Sequence, residues 1–317
     1  MSSLVTFGET MLRLSPPRGQ PLARTDSLDL HVGGAESNVA TAAATFGVDA
    51  TWLSVLPETD LAERITHALR GEGVDPLVTW TESGRVGTYY FEHGSQPRAD
   101  AVVYDREGTP LRDVTPEDLP VERVRSADLF FTSGITPALS DRLAATTGTL
   151  LASARDAGVS TALDCNYRSK LWEPAEARET LTGLFPDVDV LFVAERDART
   201  VLDYDGSAEH IVRDLADEYG FETVVVTQGA DGALAFSGEI HDQSAIATET
   251  VDPVGSGDAF VGAYLAQRLS GASVPDALAY GAATAALNRT FHGDMARFSS
   301  AAVDAVLTGD RDDAIDR

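Results

Sequence analysis

Apolar positions in this chain recur first at strand spacing and then at helical spacing. Leu4 to Gly8 predicts a buried strand, and Met11 to Leu14 alternates as a second, partly exposed one. Pro16, Pro17 and Gly19 break the chain before Leu28 to Val32 alternates again and ends in Gly33-Gly34. Val39, Ala42, Ala43 and Phe46 then repeat at helical spacing, and Gly47 stops this small-residue helix. Thr51 to Leu56 predicts a strand, and Asp60 to Leu69 an amphipathic helix closed by Gly71-Glu72-Gly73.

The rhythm then changes. Leu77 to Thr81, Val86 to Glu92 and Ala101 to Asp105 alternate, are rich in Val, Thr, Tyr and Phe, and have no helix between them. They predict a small antiparallel sheet that, with residues 11 to 32, forms a half-exposed lid across the main domain. From residue 128 strands return at Asp128 to Thr132, Ser160 to Asp164, Val188 to Val193, Thr223 to Thr227 and Ala233 to Phe236. Helices are predicted at Ser140 to Asp156, Pro174 to Leu184, Glu195 to Leu202, Ala208 to Tyr219, Gly257 to Leu269, Pro275 to Thr290 and Ser299 to Leu307. Repeated βα units imply an α/β fold with a mainly parallel sheet flanked by helices and ligands outside the carboxyl ends of the strands. One domain over residues 1–317 is expected, with lid segments at about 11–32 and 77–110 and a charged, frayed end from Gly309 to Arg317.

The stretch Glu249 to Phe260 organises the candidate chemistry. Thr248 to Val251 reads as a strand end, Pro253 prevents regular continuation, and Gly255 and Gly257 permit a tight turn. Phe260, Val261, Tyr264, Leu265 and Leu269 then recur at helical spacing, so the N–H groups of Gly255 to Asp258 are expected unpaired at a helix start that attracts anions. Asp258 places a carboxylate among those donors. Either it is a first-turn dipole partner, or it accepts a hydroxyl proton beside donors that stabilise a transferring phosphoryl group, as in a small-molecule kinase.

Composition narrows the classes. A chain of 317 residues, 43% of them hydrophobic, can bury a sizeable core. No apolar run reaches membrane-spanning length and Met1 to Val5 lacks a basic n-region, so a cytoplasmic protein with no membrane partner is expected. Cys165 is the only cysteine, which excludes an intrachain disulfide and a multi-cysteine zinc site. Net charge is -26, from 50 acidic and 24 basic residues, with Lys170 the only lysine. Molar salt shortens the screening length to roughly 3 Å, so self-repulsion of this size points to a salt-loving, halophilic protein. A G+C-rich genome would explain arginine over lysine but not the acidic excess. The same charge repels nucleic acid.

Several signatures are missing. The sequence has no GxxxxGK[ST], no GxGxxG, no HExxH and no GxSxG, and its six histidines show no metal-ligand spacing. Two other glycine turns accompany the Asp258 corner: Gly33-Gly34-Ala35-Glu36-Ser37-Asn38 and the strand-to-turn stretch Val224 to Ala233 with Gly229 and Gly232. By type and order these three stretches resemble the signature of the PfkB-type (ribokinase-like) carbohydrate kinases over nearly the whole chain: Gly-Gly with Asn38, TxGxxG at Thr227 to Gly232, and DxxGxGD at Asp252 to Asp258.

The resemblance implies a doubly wound domain with a small β-sheet lid over a sugar site. It implies Asp258 as base, Gly255, Ser256, Gly257 and Asp258 as an anion hole, ATP over Thr227, Gly229 and Gly232, and Mg²⁺ bridging the phosphates. Val32 to Glu36, Ser133 to Ser140, Asp164 to Arg168 with Leu171-Trp172, and Gly293-Asp294 look most similar to 2-keto-3-deoxygluconate kinases. That similarity places Gly34, Asn38, Tyr89, Tyr104, Arg106, Arg168, Asp258 and Asp294 around a sugar acid, and Asn166, Tyr167 and Arg168 near ATP. Its carboxylate needs local cations in so acidic a chain, and Arg106 and Arg168 are the candidates. A fructokinase or other neutral-sugar kinase of the same fold, and a non-catalytic sensor, remain alternatives. An exposed lid sheet implies a homo-oligomer. The family's NxxE metal stretch is altered to Ala194-Glu195-Arg196-Asp197, which leaves the metal ligands open, and the segment before Gly293 is longer than expected.

Overall fold

The computed structural model describes residues 2–94 and 97–309. Strand β1 (Ser3–Phe7) lies inside the main sheet, and β2 (Met11–Ser15) and β3 (Asp29–Gly33) leave it. Helix α1 (Ala35–Thr45), β4 (Asp49–Pro57), α2 (Asp60–Gly71) and β5 (Asp75–Thr81) return to it. Strands β6 (Thr88–Glu92) and β7 (Ala101–Asp105) complete the excursion. The second half winds through α3 (Val121–Arg125), β8 (Leu129–Ser133), α4 (Asp141–Asp156), β9 (Ser160–Asp164), α5 (Pro174–Leu184), β10 (Val190–Ala194), α6 (Glu195–Thr200) and α7 (Ala208–Tyr219). It ends with β11 (Thr223–Thr227), β12 (Gly232–Phe236), β13 (Ile240–Ser244), α8 (Ser256–Leu269), α9 (Val274–Asn288) and α10 (Ser300–Thr308).

The nine-stranded sheet runs β13-β12-β11-β10-β9-β8-β1-β4-β5, parallel from β11 to β5, with β12 and β13 added antiparallel. Its central strands are apolar runs because both faces are covered: Leu4, Val5, Phe7 and Val224 to Val226 are fully buried. Leu143, Leu150, Leu181, Ile211 and Leu215 of α4, α5 and α7 pack one face, and Val39, Val261, Tyr264 and Leu278 of α1, α8 and α9 the other. This is a ribokinase-like α/β fold: a doubly wound, mainly parallel sheet flanked by helices, plus a small second sheet. No described helix is long and apolar enough to cross a membrane.

Three expectations change. Leu77 to Thr81 does not join the small sheet; β5 pairs parallel with β4, since α2 between them supplies the crossover a parallel pair requires. Its edge position explains the half-exposed alternation, with Trp80 39% exposed. The small sheet, β3-β2-β6-β7, is mixed rather than antiparallel, because β2 and β6 run parallel. Finally, Thr248 to Val251 is not a strand: the edge strand is the earlier, polar β13, whose pattern carried no apolar signal. The frayed end expected at 309–317 lies, beyond residue 309, outside the described residues.

One packing contact positions everything that follows. Helices α1 and α8 approach so closely that a Cβ on Gly262 would sit 2.4 Å from the Val39 carbonyl oxygen, and Ala42 and Ala43 keep the facing surface small. The starts of both helices are thereby brought to the same end of the sheet.

Candidate active site

At that end a cleft of ≈ 670 Å³ opens between the main sheet and the small one. The corner before α8 supplies its floor. Gly255 caps the helix at φ 77°, and a Cβ there would meet the Asp294 carbonyl oxygen at 1.9 Å, so both backbone shape and space demand glycine. Asp252 secures the corner's entry, its Oδ1 accepting from the Val254 N–H at 3.1 Å. Ser256 N–H makes a long 3.4 Å contact to the Pro253 carbonyl, while among the described residues the N–H groups of Gly255, Gly257 and Asp258 have no protein acceptor. Three donors and a helix dipole therefore face the cleft. The side chain of Ser256 turns back to the Pro253 carbonyl at 2.8 Å.

Asp258 lines the same floor. Burial pushes its carboxyl up to about 6, opposed by the hydrogen bond from Asn38 and the charge of Arg168. Asn38, one turn into α1, donates from Nδ2 to Asp258 Oδ2 at 2.7 Å. A carboxylate that is ionised near neutrality yet readily protonated is suited to accept a proton.

The small sheet turns one face to the cleft: Tyr89 and Tyr104 line it with Gly34 and Asp294. Tyr89 donates its hydroxyl to Asp294 Oδ2. Gly34 is required because a Cβ would meet the Glu9 carbonyl oxygen at 2.2 Å. The two arginines separate. Arg168 lines the cleft, and among the described residues its guanidinium forms no ion pair. Arg106 is buried and held 2.5 Å from Glu9 Oε2, and it is not in the lining. Contrary to expectation, Arg106 is thus engaged within the protein.

Asn166, Tyr167 and Thr227 also border the cleft, with Asn166 at φ 37°, a left-handed conformation that asparagine tolerates. Gly229 and Gly232 shape the turn behind Thr227 at φ 62° and 115°, without lining the cleft themselves. Asp164, the last residue of β9, and Asp197, in α6 just after β10, also line the cleft; both fall in stretches quoted from the sequence, Asp197 in the altered metal stretch, with neither assigned as a ligand. Burial, with the charge of Asp258, pushes Asp164 up to about 7. Both carboxylates line the cleft, and oxygen ligands of this kind suit a hard divalent cation such as Mg²⁺, which Asp164 and Asp197 would hold. Both lie at or just beyond the carboxyl ends of parallel strands, where ligands of open α/β sheets bind. Lys170 crosses the mouth to donate to the Val102 carbonyl on β7.

A doubly wound sheet, a donor-lined helix start and a raised carboxylate on the cleft floor define a phosphotransferase of small molecules. The chain belongs to the pfkB family carbohydrate kinases, whose sequence pattern matches residues 1–301. It is 52% identical over 317 residues to the 2-dehydro-3-deoxygalactonokinase of Haloferax volcanii, covering 100% of this chain and 99% of that one. It is 30% identical over 305 residues to the 2-dehydro-3-deoxygluconokinase of Thermoproteus tenax, covering 93% and 90%. The solved 2-dehydro-3-deoxygluconokinase of Thermotoga maritima superposes with a TM-score of 0.92 at 32% identity, over 98% of this chain and 99% of that chain. A putative ribokinase II from E. coli, solved with ATP and Mg²⁺, shares the fold at a TM-score of 0.89 and 20% identity, over 98% of this chain and 100% of that chain.

Proposed function

We propose that this carbohydrate kinase transfers the γ-phosphoryl group of ATP to the primary hydroxyl of a 2-keto-3-deoxy sugar acid. The observation that carries the reading is Asp258 standing beside three N–H groups at the start of α8 that have no acceptor among the described residues. The hydroxyl oxygen attacks the γ-phosphorus in line, its proton passes to Asp258, the bond to the β,γ-bridging oxygen breaks, and ADP leaves. The N–H groups of Gly255, Gly257 and Asp258 stabilise the charge in transit. Asp164 and Asp197 would hold Mg²⁺, which when bound would neutralise charge on the phosphate oxygens. Arg168 receives the substrate carboxylate, and Tyr89, Tyr104, Asp294 and Gly34 surround its hydroxyls. Thr227 and the turn through Gly229 and Gly232 border the nucleotide, with Asn166 and Tyr167 toward its phosphates.

The product from the gluconate epimer is 2-keto-3-deoxy-6-phosphogluconate. The 52% relative carries the name of the galactonate kinase, so that C4 epimer belongs beside gluconate as a substrate. The enzyme works inside the cell as a homo-oligomer; Leu28 and Val103, 37% and 56% exposed on the lid's far side, support a self-contact there. The test is ADP release at molar KCl with both keto-deoxy acids, fructose and ribose. Preference for a keto-deoxy acid supports the reading. Equal turnover of fructose or ribose assigns a neutral-sugar kinase instead.

A further inference from the structure

One buried guanidinium joins the lid to the catalytic corner. Arg13, in the middle of β2, is fully buried. Its Nη1 donates to Asp294 Oδ1 at 2.8 Å, and its Nη2 to Asp252 Oδ2 at 2.7 Å and to His93 Nε2 at 3.2 Å. Nε donates to Ser15 Oγ at 2.9 Å, and the guanidinium carbon lies 4.4 Å from the centre of the Phe91 ring. A guanidinium only donates, so His93 accepts at Nε2 and carries its proton on Nδ1. Among the described residues, His93, Asp252 and His292 are the trio close enough to share a cation, and Arg13 already supplies the positive charge there.

The two carboxylates on Arg13 bound the cleft differently: Asp294 lines it, while Asp252 is fully buried behind the turn that forms its floor. Asp252 opens the turn that ends at Asp258, and its Oδ2 also accepts the Gly293 N–H at 3.2 Å. Asp294 faces the cleft beside Tyr89, and its backbone carbonyl abuts Gly255. The donor-lined corner, the substrate-facing carboxylate and the lid strand therefore meet at a single side chain, one that the three motifs do not contain.

We propose that Arg13 is a positioning residue for phosphotransfer, fixing the 252–258 turn and Asp294 relative to each other and to the lid. The role rests on the phosphotransfer reading above and adds what holds its parts in register. It depends on the fork: Nη1 and Nη2 serve different carboxylates in fixed directions. A lysine ammonium preserves the charge but has one nitrogen for both. Misplacement of a reacting group by about 1 Å costs on the order of a hundredfold in rate.

The test compares wild type, Arg13→Lys and Ser15→Ala at molar KCl, reading kcat, both KM values and Tm. In Arg13→Lys, kcat is expected to fall about a hundredfold. The sugar-acid KM should rise about tenfold through loss of a charge-assisted contact, while the ATP KM and Tm stay near wild type. Wild-type kcat and sugar-acid KM in the folded lysine variant overturn the role, as does a loss of Tm with unchanged constants. If Arg13→Lys does not fold, Ser15→Ala, which removes only the Nε acceptor, is expected to lose several-fold in kcat at constant ATP KM; unchanged kinetics there overturn the role as well. Absence of ADP release by the wild type with every sugar acid instead removes the phosphotransfer reading, and Arg13's role with it.

Discussion

Asn38 on α1 and Asp258 on α8 are hydrogen-bonded at 2.7 Å across the glycine-lined contact between these two helices. The amide donor favours the ionised carboxylate, whereas burial pushes Asp258 up to about 6. The base is therefore ionised at neutral pH and lost by protonation below about 6, where kcat should fall roughly tenfold per pH unit. Asn38→Ala removes the donor, raises the carboxyl further and moves this acid limb to higher pH. A kcat–pH profile with the limb unmoved would show that the contact does not tune the base. Asp258→Asn should lower kcat by about 10² to 10⁴ with little change in ATP binding.

Arg168 and Arg106 should respond to truncation in opposite ways. Arg168 faces the cleft without an ion-pair partner among the described residues, so Arg168→Ala should raise the sugar-acid KM about tenfold or more and leave Tm in place. Arg106→Ala strands Glu9, a buried carboxylate whose other partner is Thr109, 2.6 Å away. That loss should cost about 3–5 kcal/mol of stability. Urea unfolding and substrate titration of both variants separate the two roles. Equal Tm values with a raised sugar-acid KM only in Arg106→Ala would return Arg106 to the substrate.

Glu36 makes stability depend on pH. Its Oε1 accepts from the Ser133 N–H, the Ser133 hydroxyl and the Thr136 hydroxyl at 3.1, 2.7 and 2.7 Å, deep beneath the cleft. Burial nevertheless pushes the carboxyl from 4.5 to about 7. The folded state thus holds the proton more tightly than the unfolded chain, so its contribution is fully present below about 4.5 and lost as pH rises through about 7. Glu36→Gln removes that loss. The stability difference between wild type and variant should change between pH 5 and 8 and then level; a constant difference would place the titration elsewhere.

Most of the fold was legible because long apolar strands and amphipathic helices announce themselves by period. The Asp258 corner was legible because its glycines and carboxylate lie within seven residues. What escaped depended on distant pairing. The polar edge strand β13 lacks an apolar alternation, β5 reads like its lid neighbours until α2 forces a parallel pairing, and Arg106 could not be matched to Glu9 across 97 residues. Asp164 and Asp197 lay in stretches quoted from the sequence, but their joint place was not legible, since only the sheet brings the ends of β9 and β10 to the cleft that Asp258 lines.

The acidic excess predicts salt dependence. With a net charge of -26, repulsion between surface carboxylates is long-ranged at low ionic strength and screened within roughly 3 Å at molar salt. Tm should rise steadily with KCl into the molar range. A curve flat from about 0.1 M upward would mean that repulsion does not limit stability.

Gly255 and Gly257 bracket the anion-binding turn, yet they should fail differently when substituted. At Gly255 the left-handed φ of 77° opposes alanine, and so does the Asp294 carbonyl, which would lie 1.9 Å from the added methyl carbon. The left-handed conformation alone costs about 1–2 kcal/mol, and the clash must also displace Asp294. Gly255→Ala should therefore lower Tm and abolish turnover together. Gly257 has ordinary backbone angles and open space at its Cβ position, and alanine is the better helix former by about 1 kcal/mol. Gly257→Ala should keep or raise Tm while its methyl crowds the N–H donors and lowers kcat. Measuring Tm and kcat for both variants decides the matter, because wild-type turnover in Gly257→Ala would mean that the phosphoryl group does not pass over this turn.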